Sequence, residues 1–134
     1  MQAPARRWSS ILALLLLAAG CGSSSPATPS TPPVTDTLTG TLDPTNLNAH
    51  TFTASAGGTA TITLVSLDPP VQAVGIGLGA VTNGNCSLQV TNSPFTAGAI
   101  WETTLAGAGQ YCVAIYDIGF LTQSETYSIK VVHP

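Results

Sequence analysis

The chain has 134 residues, of which 44% are hydrophobic and only 7% charged, with a formal net charge of −3. Three cations against six carboxylates leave no basic patch, which excludes recognition of a phosphate backbone and so of nucleic acid. That length holds one domain of common size, and its polarity comes from Thr, Ser, Asn and Gln, as on the outward positions of β-strands.

At the start of the chain, Arg6 and Arg7 precede the apolar run Ile11–Ala19, and Gly20 and Cys21 follow. A charged head, an apolar stretch and then small residues make an export signal. The run falls short of the roughly 20 residues that span a bilayer. Ala18-Ala19-Gly20-Cys21 resembles the lipobox of bacterial lipoproteins, with Ala18 where that motif most often has Leu. The resemblance implies that residues 1–20 are a removable signal peptide. It also implies that Cys21 becomes an acylated N-terminus and that the membrane is a partner through this lipid. A signal peptide with an ordinary cleavage site is the alternative. Several acyl chains anchor stably where one binds only marginally. Gly22, standing where an aspartate would mark inner-membrane retention, favours the outer membrane in a Gram-negative host. Without the signal, Lys130 alone opposes six carboxylates, a net charge of −5. No basic cluster then remains to hold anionic lipid.

Residues 21–35 are rich in Ser, Thr and Pro and read as an extended tether. The domain is expected over residues 36–134. Thr37–Leu42 alternates as a short strand, and Asp43-Pro44-Thr45-Asn46 is a turn. His50–Ala54 is a second strand, closed by Gly57 and Gly58. Thr59–Leu67 is the clearest strand, with Ala60, Ile62 and Leu64 facing in and Thr59, Thr61 and Thr63 facing out. Asp68-Pro69-Pro70 stops it. In Val71–Val81, Val74, Ile76 and Leu78 alternate with Gly75, Gly77 and Gly79, and such a glycine face predicts close approach of another backbone or a bent strand. Those glycines lack the spacing and the following helix of a phosphate-cradling loop. Cys86–Val90 follows the Asn83-Gly84-Asn85 turn. Ile100–Leu105, Tyr111–Asp117 and Thr126–Val132 complete about eight short strands, and no segment sustains a helical period. The fold class is therefore all-β, a sandwich or barrel of short strands.

Of three cysteines, Cys21 is assigned to lipid, which leaves Cys86 and Cys112 to pair in an oxidising compartment. The bridge would close a loop of about 27 residues and add roughly 3.5 kcal/mol on the chain-entropy estimate. Two buried free thiols are the alternative. The cysteines and histidines show no zinc spacing.

His50-Thr51-Phe52-Thr53 with Gly57–Leu64, then Gly107–Ile115 and Glu125–Val131, together resemble bacterial pre-peptidase C-terminal domains over roughly residues 37–132. The resemblance rests on glycine turns and alternating strands. It implies an antiparallel, jelly-roll-like β-sandwich and an accessory role beside exported proteins, sometimes with substrate or calcium binding. The chain departs from that family in having no attached peptidase and in carrying the Cys86/Cys112 pair.

Catalytic groupings are scarce. His133 lies at the end of the chain and is expected to fray, and His50 reads as a surface polar residue. There is no Gly-x-Ser-x-Gly elbow. Glu102 and Asp117 could pair as in a glycosidase, but a thin sandwich hardly provides the groove. The expectation is a non-enzyme without a cofactor, with a small secreted hydrolase as a remote alternative. Asp43, Asp68 and Asp117, at turns and strand ends, are the residues a calcium ion would use, although turn initiation accounts for the first two. Trp101, Tyr116 and Phe120 are the candidate ligand contacts. Exposed together they would make a carbohydrate-binding module, whereas Ile118, Phe120 and Leu121 exposed together would make a contact patch. The sequence reading is a binding or structural accessory module at the bacterial cell envelope, with a protein or glycan partner.

Overall fold

Period-two alternation of apolar and Thr-rich positions makes two-faced strands, and two such sheets bury their apolar faces against each other. The computed structural model describes residues 31–71 and 73–134. The expected signal peptide, the proposed lipidation site Cys21 and most of the expected tether lie outside the described residues. Eight strands follow one another: β1 (Val34–Leu42), β2 (Leu47–Ala54), β3 (Gly58–Asp68), β4 (Val74–Thr82), β5 (Asn85–Phe95), β6 (Ile100–Leu105), β7 (Gly109–Tyr116) and β8 (Glu125–His133). They form two four-stranded antiparallel sheets, ordered β1-β8-β3-β6 and β2-β7-β4-β5. Only β4 and β5 make a hairpin, and every other connection crosses between sheets, which is the wiring of a jelly roll.

The alternation read in Thr59–Leu67 holds. Ala60, Ile62 and Leu64 are fully buried and pack with Ile129 and Val131 of β8 and with Ile76, Val113 and Ile115 of the facing sheet. Each such Ile, Leu or Val contributes roughly 1.5–3 kcal/mol by leaving water. The expected pairing of Cys86 with Cys112 is present, with a Cα–Cα separation of 5.7 Å. The hairpin turn Asn83-Gly84 has φ of 52° and 77°. Two positive φ values are what a two-residue turn needs to match strand twist, and Asn-Gly supplies them at low cost.

Several boundaries differ from expectation. The domain begins two residues before Asp36, because Val34 and Thr35 pair with His133 and Val132. Strand β5 runs on through Pro94 to Phe95, which its place at the sheet edge permits, since an edge residue can lack a ladder donor. His133 does not fray. It is 1% exposed, its Nε2 lies 3.0 Å from Asp36 Oδ2, and its ring packs against Phe52. The Pro134 carbonyl accepts the Ser55 N–H, so the last residues are sealed by β1 and the β2–β3 turn. His50 is not a free surface residue either. It points inward from β2, 2.7 Å from the Tyr127 hydroxyl, and burial lowers its pKa while raising that of Tyr127. These two rings form a satisfied polar pair between the sheets.

Strand directions separate two ends. Val34, His133, the β2–β3 and β6–β7 connections and the β4–β5 turn lie at one end, where the chain enters the domain. The β1–β2, β3–β4 and β7–β8 connections lie at the other, beside Leu42, Asp68 and Glu125.

Candidate functional site at the distal end

The loop between β7 and β8 carries the best-organised polar group of that distal end. Asp117 Oδ1 accepts the N–H groups of Gly119, Phe120 and Leu121 at 2.8–3.2 Å, and its Oδ2 accepts the Thr45 N–H at 2.9 Å. These four bonds fold the loop and clamp it to the β1–β2 turn. They also hold Thr45 at a φ of 63°, a conformation a β-branched residue avoids when free. The Thr45 amide and then the three loop amides lower the Asp117 pKa, because each bond favours the charged form. Asp43 at the same end takes a hydrogen bond from the Ser124 hydroxyl.

Asp117→Ala should therefore cost about 1–2 kcal/mol, the charge-assisted bonds being discounted for partial exposure. A carboxylate with a lowered folded pKa stabilises above its unfolded pKa, and that contribution is lost as pH falls through the folded value. Urea melts should show the difference between wild type and variant at neutral pH and its disappearance in strong acid. A constant difference across that range would contradict the assignment.

The clamp seats Leu121 in the core at 7% exposure and leaves Phe120 outside at 47%. The expected patch of Ile118, Phe120 and Leu121 is thus not formed. Ile118 is half-buried, and only Phe120 stands clear. Phe120 borders a cleft of about 330 Å³ together with Pro69, Pro70, Val71, Thr122, Gln123 and Glu125. Glu125 is the one buried residue of this lining, 3% exposed, and its Oε2 has no hydrogen-bond partner. Desolvation, reinforced by the charge of Asp68, raises its pKa.

The other sequence candidates are dispersed. Trp101 lies in β6 at the edge of one sheet and packs inward against the core. Tyr116 lies in β7 of the other sheet, and its ring covers the outer side of Gly75. The aromatic platform that sugar stacking needs is therefore not assembled from Trp101, Tyr116 and Phe120. Among Asp43, Asp68 and Asp117, two are engaged by Ser124 and by the loop amides. Among the described residues no group of three or more His, Cys, Asp or Glu stands together to hold a metal. Glu102 and Asp117 lie on β6 and beyond β7, in different sheets, and form no pair. Sequence reasoning missed Glu125. Its one signal was a carboxylate at an inward position of a strand whose other inward residues are Tyr127, Ile129 and Val131.

No protein-family model matches the chain, and no curated protein sequence matches it. Among solved structures, the fold is similar to that of PliG of Aeromonas hydrophila, described as a periplasmic lysozyme inhibitor of g-type lysozyme. The TM-score is 0.53 and the identity 18%, over 74% of this chain and 86% of that one. This likeness shows a shared all-β architecture.

Proposed function

We propose that this chain is an exported, lipid-anchored module that binds a protein partner through the distal end of its sandwich and carries out no catalysis. The observation that carries the reading is the polarity of the domain. The chain enters at Val34, while the Asp117-clamped loop, the exposed Phe120 and the cleft occupy the opposite end. A lipid on Cys21 and a Ser/Thr/Pro tether would hold the entry end towards the membrane and present the far end. The lipobox resemblance supports the anchor, and the resemblance to pre-peptidase C-terminal domains supports an accessory role. The PliG likeness supports a protein partner, since that protein is an inhibitor of another protein. The dispersal of Trp101 and Tyr116 speaks against a glycan partner.

A photoreactive phenylalanine analogue at position 120 should cross-link a discrete protein in intact cells, and the same analogue at position 108, exposed in the β6–β7 connection at the entry end, should not. Equal labelling from both positions, or none from position 120, would remove the reading.

A further inference from the structure

We infer that the cleft beneath Phe120 is a receptor for a single arginine side chain of a partner protein, with Glu125 as its anion. The inference rests on the binding-module reading and names the chemistry of its contact. Glu125 begins β8 on the inward face, opposite Leu42 of β1, so its carboxylate enters the gap where the two sheets part. Its Oε2 is closed to water and no donor reaches it, while the residue lines the cleft, so a rotation of the carboxyl group would bring the unpartnered oxygen to a ligand there. A buried carboxylate without a partner is costly, and Asp68 of the adjoining strand adds negative charge rather than relieving it.

The domain holds no cation to answer this charge. Lys130 is the only Lys or Arg in the described residues, and it sits on an outward position farther along β8. Alone, Glu125 meets its burial by the raised pKa that favours its neutral form, and a cation to pair with its charged form has to come from outside the described residues. The rest of the lining selects its form. The lining is mostly polar, and Pro69, Pro70 and Val71 leave a short apolar stretch for an aliphatic stem. Phe120 offers an exposed ring face, on which a planar guanidinium stacks better than an ammonium. Thr122 and Gln123 can accept the remaining N–H groups. A volume of about 330 Å³ is at the small end of ligand clefts and suits one long side chain. The Asp117 clamp makes Asp117 a positioning residue, since it holds Phe120 over the cleft without lining it.

The test uses the mature chain from residue 21 with Cys21→Ser, labelled for amide NMR. The probes are N-acetyl-arginine methylamide, its uncharged citrulline analogue, and calcium alone. The arginine probe should shift the amides of Phe120, Thr122 and Glu125 saturably in the millimolar range, and the citrulline analogue should bind at least about tenfold more weakly. Glu125→Gln should lose the arginine response yet raise the melting temperature of the free domain at neutral pH. A carboxylate with a raised folded pKa destabilises above its unfolded pKa, so the gain should vanish in acid, where Glu125 is protonated in both states. Equal binding of citrulline, undiminished arginine binding by Glu125→Gln, or a calcium response at these amides without an arginine response would each overturn the assignment. Cross-linking from position 120 that Glu125→Gln leaves intact would sink the arginine site and spare the module. Arginine binding without any cross-link would do the reverse.

Discussion

Replacing Cys86 and Cys112 together by alanine lowers the stability of this domain by about 3.5 kcal/mol and its melting temperature by about 15–25 °C. The bridge joins β5 to β7 across the intervening β4, over a sequence separation of 26. Cys112 is fully buried but stands outside the cluster between the sheets, on the opposite face of β7 from Val113 and Tyr111, so its loss opens no gap between the sheets. The loss therefore arises mainly in the unfolded chain, which regains the freedom that the closed loop withheld. A strong reductant should shift the wild-type guanidinium midpoint to that of the double variant and leave the double variant unmoved. A wild-type midpoint insensitive to reductant would show that the sandwich holds without its cross-link. A domain of this size has about 5–15 kcal/mol in total, so the bridge is a large fraction of what keeps it folded.

Gly79→Ala is expected to cost about 3 kcal/mol, the upper range for overpacking. A Cβ at Gly79 would overlap the backbone carbonyl of Ser87 and crowd Leu88 Cα. Backbone cannot swing aside as a side chain does. Here β4 is hydrogen-bonded to β5 on one side and β7 on the other, with the disulfide tying those two together. Gly79 also stands beside Cys112 in the register, and the space a side chain would need is taken by the Ser87–Leu88 backbone of β5. Gly75→Ala meets the ring of Tyr116 instead, which can rotate away, and should cost less. Gly107→Ala, with open space around it and no unusual φ, should be nearly neutral. Urea melts of the three variants check the order. A Gly79→Ala variant within about 0.5 kcal/mol of wild type would refute the packing argument.

The glycine series shows where local pattern sufficed. Alternation of Val74, Ile76 and Leu78 with three glycines announced both the core face and the close neighbour on the other side, because a strand's side chains can point only two ways. The eight strands, the Asn83-Gly84 turn and the cysteine pairing were legible for similar reasons of period, turn chemistry and count. Strand ends were less legible. Whether Val34 or Pro94 joins a ladder depends on a partner strand and its position in the sheet, neither of which the neighbouring residues encode. The histidines were misread because His133 was judged from its place in the chain, whereas its burial comes from Asp36 and Phe52, far away in sequence.

The amino-acid order alone determined an all-β domain, poor in charge, with its apolar residues assigned to one face of each strand. Those properties follow from chemistry within a few residues. Only the folded arrangement decided that the β7–β8 loop would clamp on Asp117, that Trp101 and Tyr116 would lie in different sheets, and that Glu125 would be enclosed without a partner. Each depends on jelly-roll connections that bring residues distant in the chain to one end of the sandwich. No local periodicity carries that information, since a carboxylate's surroundings are set by whichever strands close around it.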